Sequence, residues 1–522
     1  MKNYIITLVA FLFGTALHTH AATIYVKHNA IGSANGTSWT NAYTNLSTAL
    51  SNSSSGDEIW VAAGTYKPTT GTSRTISFEM EDGVALYGGF SGNETSRSQR
   101  NWQNNVTILS GEIGNLSSKT DNSYHIVLAD AVGHTTRLDG FTVENGNANG
   151  TFSDQKIGAG VYMNGADMTI RNCIFKSNTS TQRGGGISIS TTLTRPISIE
   201  NCDFHQNSSG IGAGFYIDQG TISTIRNCSF TDNTASSGAG FYIPSTATVQ
   251  NIENCEMIGN HATSGAGGYT NSGNVAIKNC LFKKNTGTNG GGLYSNLSNY
   301  LITNCAFDSN TVSHGGGIYG RTGSVSNVIN CRFLQNSGSA LLIGKITGRI
   351  DSCTFTRNVI VAHAGGGAIR VYGGRYRILN STFSFNGSTK SFGGAILQNG
   401  ASVAIENCAF DSNYTSDPLS VGGALYATTG ANGFSSIRKI HNSTFKGNST
   451  AHAGGAIVAP IHNLRVSNCT FKGNKVTDAG RYYGGGALNL LGDTCSFTQC
   501  LFENNSADGT QAITTAEYLR GG

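Results

Sequence analysis

The sequence is poor in charged residues, in proline and in long apolar runs. Charged residues make up 12% of the 522 residues and only five residues are proline, whereas globular chains usually carry about 25% charged residues. The net charge of +5 is not gathered into any run of lysine and arginine, so the sequence lacks the basic footprint of a nucleic-acid-binding protein. Beyond the N-terminal region, no apolar run is long enough to cross a bilayer as a helix. We therefore expect no nucleic-acid partner and no transmembrane helix in the mature chain.

The first residues have the features of a secretory signal. Lys2 supplies a short positive region, residues 5–17 an apolar core, and residues 19–22 a small-residue cleavage region. The alternative interpretation is a buried core strand, but the position at the extreme N-terminus favours export. The sequence thus predicts a signal peptide over residues 1–22 and a protein that is secreted or held on the outer surface of a bacterium.

Glycine, in contrast, is abundant at 70 residues, and it accompanies a repeated motif. The motif is roughly Asn-Cys-x-Phe-x-x-Asn and occurs thirteen times between Asn172 and Asn505, with Met257 once in place of Phe. The spacing of the Phe position varies from 22 residues (333 to 355) to 35 residues (410 to 445). A period in this range is typical of stacked copies of one small unit that cannot bury its apolar face alone.

One repeat, residues 184–207, indicates how each unit is built. It contains three short apolar-alternating segments, residues 187–190, 196–199 and 202–204, with Asn201 at the corner before the third. Asparagine suits such a corner because it tolerates the left-handed backbone region and its amide can bond to the next unit. The predicted fold is all-β: a right-handed parallel β-helix solenoid with about three short strands per rung.

The chain divides into three predicted regions. The signal peptide is followed by an N-terminal cap with irregular first rungs over residues 23–140 and by regular β-helix repeats over residues 141–522. A short helix over residues 39–51 is expected to cover the open end with Leu46 and Leu50, because an exposed solenoid end invites edge-to-edge association. Residues 57–66 are interpreted as the first strand and turn.

Eleven of the twelve cysteines occupy one slot of the repeat, and Cys495 is the exception. Residues in one slot stack at about 4.8 Å from rung to rung, a separation that suits a disulfide poorly, since its Cβ atoms prefer about 3.8 Å. A linear column also offers no tetrahedral cage for zinc. We predict a ladder of buried thiols that behave as small apolar groups, with neither a metal site nor a cofactor.

A second element, Gly-Gly followed by an apolar residue, recurs in step with the motif, as at residues 316–318 and 422–424. Glycine here lets the backbone bend or approach the adjacent rung closely. A phosphate-binding loop is disfavoured because no helix follows and no Gly-Lys-Ser/Thr is present.

These alternating glycine and Phe-x-x-Asn elements, over residues 158–505, resemble the passenger repeats of chlamydial polymorphic outer-membrane proteins. That family consists of surface adhesins, so the resemblance implies a role in adhesion. Residues 57–66 resemble the opening of secreted pectate-lyase-like β-helix proteins, a superfamily of polysaccharide lyases, hydrolases and binding proteins. This second resemblance implies a carbohydrate ligand, either a polysaccharide or a host or cell-surface glycan.

In the pectate-lyase-like superfamily the substrate groove runs along the first sheet, so the outward residues of that sheet are the candidate site. Alternation along the strand predicts one outward column, whose members are Tyr162, Ser188, Tyr216, Tyr242, Tyr269, Tyr294, Tyr319, Leu342, Arg370, Leu397, Tyr426, Val458 and Asn489. Five successive rungs carry tyrosine over about 19 Å. Sugar rings stack on aromatic faces, which favours a glycan track made of Tyr216, Tyr242, Tyr269, Tyr294 and Tyr319. The competing interpretation is a structural ladder, because tyrosine has high β-propensity and stacks across strands.

A catalytic set is less evident. A lyase needs a base and a cation or metal to neutralise the uronate carboxylate. The best candidates are His363, Arg370 and Tyr372, and the nearby arginines are Arg321, Arg375 and Arg377. The alternative is that these are ordinary solvated residues. Because an active site usually interrupts a regular pattern, the uniform rungs favour an adhesin or glycan-binding protein over the alternative, a polysaccharide lyase or hydrolase.

Overall fold

The computed structural model describes residues 21–190, 195–271, 275–296, 300–321, 326–344, 347–361, 365–428, 436–459, 464–477, 485–490 and 495–508. The predicted signal peptide lies outside these residues except for Ala21 and Ala22. No helix among the described residues is both long enough and apolar enough to cross a membrane.

The chain winds through three long parallel sheets, one strand of each per rung. The first is the tyrosine sheet, so called for its outward tyrosines. Its strands are Phe78–Glu79, Val127–Asp130, Val161–Asn164, Ile187–Ile189, Phe215–Ile217, Phe241–Ile243, Gly268–Thr270, Leu293–Ser295, Ile318–Gly320, Leu341–Gly344, Ile369–Tyr372, Ile396–Asn399, Leu425–Thr428, Ile457–Ala459 and Leu488–Leu490.

The second is the isoleucine sheet, whose inward residues are mostly isoleucine. Its strands are Thr23–Val26, Glu58–Ala62, Ala85–Phe90, Arg137–Asp139, Thr169–Arg171, Ile197–Glu200, Gly220–Arg226, Ala247–Glu253, Val275–Lys278, Tyr300–Thr303, Ser326–Ile329, Thr347–Asp351, Arg375–Leu379, Ser402–Glu406, Ser436–His441, Leu464–Ser467 and Cys495–Thr498.

The third is the phenylalanine sheet, which carries the Phe of each motif. Its strands are Gly64–Tyr66, Thr107–Ser110, Thr142–Glu144, Ile174–Lys176, Asp203–His205, Ser229–Thr231, Glu256–Ile258, Leu281–Lys283, Ala306–Asp308, Arg332–Leu334, Thr354–Thr356, Thr382–Ser384, Ala409–Asp411, Thr444–Lys446, Thr470–Lys472 and Leu501–Glu503.

Short strands at the corner after the phenylalanine sheet form two further ladders of six. They are Asn147–Ala148, Thr179–Ser180, Ser208–Ile211, Thr234–Ser237, His261–Ser264 and Thr286–Asn289, then Val359–Ile360, Gly387–Ser388, Tyr414–Thr415, Ser449–Thr450, Lys475–Val476 and Ser506–Ala507. Two 3₁₀ turns, Arg97–Gln99 and Asp154–Lys156, lie in the N-terminal region. The predicted all-β solenoid with about three strands per rung is confirmed.

The interior is filled by columns of identical side chains. The Phe rings of the motif are buried, and neighbouring rings stack with centroids 4.6 to 4.9 Å apart and planes within 15°. Along the whole column, only the ring of the last rung, Phe502, is substantially exposed. Apart from the rung of Met257, each rung of the motif therefore stacks one aromatic ring against the next, which is how the single repeat satisfies its apolar face.

The eleven motif cysteines form the predicted thiol column beside these rings. The thiols are free, and each Sγ lies 3.0 to 3.5 Å from the carbonyl oxygen two residues before it. Burial raises the pKa of the Cys408 thiol to about 12. Where the motif has serine instead, Ser381 and Ser443 donate to the same carbonyl position at 2.6 and 2.8 Å. The slot therefore demands a small side chain with a weak donor.

Two asparagine columns hold the corners. The corner residue before each cysteine, or before the serine that replaces it, takes a φ of 48° to 56° and is asparagine, as predicted, except at Ser352 and Gln499. Its amide donates mainly to the corner side chain of the preceding rung, as from Asn201 to Asn172 at 3.1 Å. The last asparagine of each motif is buried instead. At Asn310, Nδ2 donates to the Phe282 carbonyl at 3.0 Å and to Asn336 Oδ1 at 2.9 Å.

Glycine before the tyrosine strand has the two functions that the motif predicts. Gly265 has a φ of +64°, and a Cβ there would lie 2.4 Å from the Gly268 carbonyl oxygen. Gly267 lies against the next rung, since its Cβ would lie 2.4 Å from the Gly292 carbonyl oxygen. A larger side chain at Gly267 would push the rungs apart, and one at Gly265 would be strained by the positive φ and by the carbonyl of its own rung.

A helix is present near the N-terminal end of the solenoid, but it is shorter than expected. The helix covers only Leu46–Ser51, where Leu46 and Leu50 are buried and Asn45 accepts from the Thr48 amide. The expectation that the helix reaches back to Trp39 is wrong. Trp39 instead packs edge-on against Tyr25 at 4.8 Å, because an aromatic cluster offers it more buried contact than a helix turn.

Residues 57–66 hold two strands, and Thr23–Val26 precedes them, so they are not the first strand.

Candidate functional site on the tyrosine sheet

The predicted outward column is in register through all thirteen rungs from Tyr162 to Asn489. It contains five consecutive tyrosines, which we call the tyrosine ladder: Tyr216, Tyr242, Tyr269, Tyr294 and Tyr319. The inward neighbours on the same strands are fully buried, so alternation along the strand places the tyrosines on the outer face.

The rings of the tyrosine ladder lie against one another. Ring centroids are 5.8, 4.6, 4.7 and 5.0 Å apart from Tyr216 to Tyr319. Both faces of Tyr269 are thus covered, by Tyr242 on one side and Tyr294 on the other. The expected stacking of sugar rings on these faces is therefore unavailable inside the ladder, because the rung spacing is also the distance at which aromatic rings stack. The ring edges and hydroxyl groups of the half-buried Tyr242, Tyr269 and Tyr319 remain on the outer surface.

Burial keeps four phenol groups of the ladder neutral by raising their pKa, namely those of Tyr216, Tyr242, Tyr269 and Tyr294. Tyr216 and Tyr294 are buried, whereas Tyr242, Tyr269 and Tyr319 are half-buried. Burial raises the pKa of Tyr269 to about 12 and raises the pKa of Tyr242 and Tyr294. Because the charged form is desolvated at this surface, the hydroxyls act as neutral donors and acceptors.

A charged pair closes the N-terminal end of the tyrosine ladder. The Tyr216 hydroxyl donates to Asp218 Oδ1 at 2.9 Å, and Arg183 Nη1 lies 3.5 Å from the same oxygen. The Arg183 guanidinium also sits over the Tyr216 ring, 5.2 Å from its centroid. This end of the ladder is thus fixed by its own side chains.

A second column runs parallel to the ladder, two residues later on each rung. We call it the polar column: Asp218, Asn271, Asn296 and Arg321, with Pro244 on the remaining rung. The backbone amides of Asn271, Asn296 and Arg321 continue the ladder of parallel hydrogen bonds at 2.8 to 2.9 Å, and Asn296 donates to Asn271 Oδ1 at 3.0 Å. Sequence reasoning missed this column, although the same alternation that selected the tyrosines would have found it.

The C-terminal end of the ladder meets the predicted catalytic candidates. Arg370 continues the tyrosine column one rung beyond Leu342, and Tyr372 follows two residues later. Burial raises the pKa of Tyr372, and the interaction with the Tyr319 phenol raises this pKa further. The nearby Tyr294 phenol raises the pKa of the Arg321 guanidinium.

The other candidates do not join this cluster. His363 lies outside the described residues. Arg375 and Arg377 were expected close to Arg370, but they lie on the isoleucine sheet, because Gly373 and Gly374, both with positive φ, turn the chain onto the next face. Arg370 itself is half-buried, and its Nε has no partner among the described residues. The structure thus brings Arg370, Tyr372 and Arg321 together, whereas Arg375 and Arg377 lie on another sheet.

Two shallow cavities lie away from the tyrosine sheet. One of about 240 Å³ is lined by Trp102, Val106 and Phe141, and one of about 280 Å³ is lined by Lys27 and Trp39. Within the part of the chain that is described, no three histidine, cysteine, aspartate or glutamate side chains are grouped to hold a metal ion.

The chain belongs to the right-handed β-helix family. The model of that family, described as a right handed beta helix region, matches residues 120–268 and 316–507, more than half of the chain. Both matched segments contain rungs of all three sheets, and the match confirms the predicted handedness. No curated protein matches the sequence.

Several solved structures are similar to this one. Pectate lyase Pel9A is 15% identical, with a TM-score of 0.33, covering 77% of this chain and 78% of its own. A rhamnogalacturonan lyase is 12% identical, with a TM-score of 0.27, covering 80% and 89%. PfbA, a surface adhesin of Streptococcus pneumoniae, is 13% identical, with a TM-score of 0.28, covering 72% and 86%.

Proposed function

We propose that this protein is a secreted or surface-displayed glycan-binding protein that holds an extended polysaccharide along its tyrosine sheet. The observation that carries the proposal is the pairing of the tyrosine ladder with the polar column. Together they present neutral hydroxyls, amides and a guanidinium at a period of about 4.8 Å. A pyranose in an extended chain is of similar length, so successive sugars would meet the same set of groups.

The contacts we propose are hydrogen bonds from ring edges rather than stacking on ring faces. The phenol hydroxyls are neutral, and Asn271 and Asn296 supply amide donors and acceptors beside them. Individual hydrogen bonds of this kind contribute only about 0.5–1.5 kcal/mol. Affinity would then come from repetition over several rungs, as in multivalent binding.

The test distinguishes binding through the tyrosine hydroxyls from any effect of the stacked rings. Retention of the wild-type protein on a panel of neutral and acidic polysaccharides would be measured by affinity electrophoresis, beside the triple variant Tyr242→Phe, Tyr269→Phe and Tyr294→Phe. This variant keeps the stacked rings and removes the hydroxyls, so we expect retention to fall at least tenfold without loss of folding. The matched control is Tyr162→Phe with Tyr426→Phe, in the same column outside the ladder. Retention that is unchanged in the triple variant would overturn the proposal.

A second candidate function, a polysaccharide lyase or hydrolase, is favoured by the cluster at the end of the ladder. Arg370 and Arg321 would neutralise a uronate carboxylate, and Tyr372, once deprotonated, would remove the adjacent proton. The raised pKa of Tyr372 opposes that last role, since the phenol stays protonated. Incubation with acidic polysaccharides, followed by the ultraviolet absorbance of unsaturated uronate and by release of reducing ends, distinguishes the two functions. Product that disappears in Tyr372→Phe and Arg370→Ala would establish the enzyme.

A further inference from the structure

A basic column lies on a different face of the solenoid, the outer surface of the isoleucine sheet. Strand pairing aligns Arg349 with Arg377, then Ala404, Lys439 and Arg465 on successive rungs. Two further arginines flank this column. Arg375 lies two residues before Arg377 on the same strand, and Arg438 is the extra residue at the register shift beside Lys439. The six cations come from four strands that are far apart in sequence.

Only two carboxylates, on these four strands and the intervening strand Ser402–Glu406, offset the six cations. Asp351 pairs with Arg349, and Glu406 lies 3.6 Å from both Arg377 and Lys439. Arg375 and Arg465 are exposed, and neither has an ion pair or hydrogen bond within the described part of the chain. We call this surface, from Arg349 to Arg465, the basic column.

The first half of the same sheet has a different charge pattern. There the outward residues alternate in sign, and Glu200 lies 3.4 Å from Arg171 and 3.2 Å from Arg226. Lys278 is likewise paired with Glu253 at 3.3 Å. Charges of opposite sign on neighbouring strands stabilise a sheet, whereas like charges directly opposite each other destabilise it. The basic column departs from the stabilising pattern, so folding does not account for it.

From this geometry we infer that the basic column is a binding surface for an extended acidic polysaccharide, one whose sugars carry carboxylate or sulfate groups. Cations on adjacent rungs are about 4.8 Å apart, which is close to the repeat of charges along a chain of acidic pyranoses. Arginine provides planar donors that match a carboxylate or sulfate. The surface is distinct from the tyrosine sheet and does not depend on the function proposed for that sheet.

Other polyanions fit this surface less well. Single-stranded nucleic acid is held by aromatic side chains as well as by charge, and the outward neighbours of the basic column include small residues such as Ala404 and Ser402. An anionic membrane requires apolar side chains that insert into it, and the apolar residues of these strands, such as Ile378 and Ile405, are buried. A polysaccharide lying flat along the rungs needs neither.

The experiment measures the binding of fluorescent polygalacturonate and of a sulfated glycan to the full chain at low and high salt. The test variant is Arg375→Ala, Arg377→Ala and Arg465→Ala. The matched control is Arg171→Ala, Arg226→Ala and Lys278→Ala, which removes the same charge from the paired half of the same sheet. Removing three exposed cations together should weaken glycan binding about tenfold. Raising the salt concentration should weaken binding by the wild-type protein and reduce the difference in affinity between the wild type and the test variant.

Two results would contradict the inference. Equal loss in both variants would show that only net charge matters, and tighter binding to single-stranded DNA or to phosphatidylserine vesicles than to either glycan would assign the surface to another partner. The Tyr242→Phe, Tyr269→Phe and Tyr294→Phe variant keeps the basic column intact. We therefore expect this variant to bind the acidic glycans through the basic column as the wild type does. The two proposals can thus be tested separately.

Discussion

Two aromatic columns run along this solenoid at the same rung spacing, the buried Phe column and the outer tyrosine ladder. The Phe rings lie 4.6 to 4.9 Å apart, and the central Tyr rings 4.6 to 4.7 Å apart. Up to Phe471 the Phe column is buried between the three sheets, whereas Tyr242, Tyr269 and Tyr319 are only half-buried. The distance between stacked rings is thus set by the spacing of the backbone strands. A ring on the inner side of a sheet contributes only to stability, whereas a ring on the outer side can also contribute to a binding surface.

The comparison also explains why the tyrosine ladder cannot bind sugars as a row of exposed aromatic platforms. A platform needs a free face, and the rung spacing of about 4.8 Å leaves no room between successive rings. Only hydroxyls and neighbouring polar residues can vary the chemistry of that surface. Its specificity would then lie in the polar column and in the two arginine-containing ends.

Among the variants that test the comparison of the Phe column with the tyrosine ladder, we expect the largest loss of stability from a change in the Phe column. Phe355→Ala should lower the free energy of unfolding by about 3–5 kcal/mol, because it removes a fully buried ring and leaves a cavity between two others. Tyr269→Ala should cost clearly less, since that ring is half exposed. Denaturant unfolding followed by circular dichroism measures both. Equal losses would contradict the distinction between an inner and an outer column.

The asparagine columns offer an intermediate test of the same contrast. Asn310→Ala should destabilise the protein by about 1–3 kcal/mol, because it leaves buried carbonyl and amide groups of adjacent rungs unpaired. Asn304→Gly, in the exposed corner column, keeps the positive φ of 56° and should cost well under that amount. Denaturant unfolding of the two variants measures the difference. If Asn304→Gly were less stable than Asn310→Ala, the buried column would not be the more stabilising of the two.

The tyrosine ladder should show itself in the dependence of stability on pH. The pKa of Tyr269 is raised from 10.0 to about 12, so the folded state favours the protonated phenol. Its contribution is fully present below pH 10 and is lost as the pH rises towards 12. Tyr269→Phe should therefore make the stability fall less steeply in this window, measured as the denaturant midpoint at each pH. A Tyr124→Phe variant, outside the ladder, serves as the control.

The smallest effect is expected from single charges on the isoleucine sheet. Arg226→Ala breaks the ion pair with Glu200 and should cost about 0.2–1 kcal/mol. Arg465→Ala removes an unpaired cation and should leave stability unchanged or slightly higher. Thermal unfolding at low salt resolves the sign of the difference. A larger loss from Arg465→Ala would mean that the basic column contributes to folding after all.

Much of this architecture could be predicted from the repeat itself. The Phe, Cys and corner Asn positions recur so regularly that the rung, its inward residues and the outward tyrosine column could each be placed by number. The end cap was predicted less well, since Trp39 lies in a non-repeated region where local patterns compete with tertiary packing. Strand alternation also gives the positions of the polar column, but no repeated residue type draws attention to them, because its members differ from rung to rung.

The sequence by itself determined the rung, because a repeated pattern of inward residues can bury its apolar groups only by stacking on copies of itself. It also determined which residues share a column, since strand alternation is local. Only the tertiary structure decided that the tyrosine faces are covered, because ring separation depends on the distance between rungs. Only the tertiary structure, too, joined Arg349, Arg377, Lys439 and Arg465 into one surface, since residues far apart along the chain become neighbours only when the solenoid winds.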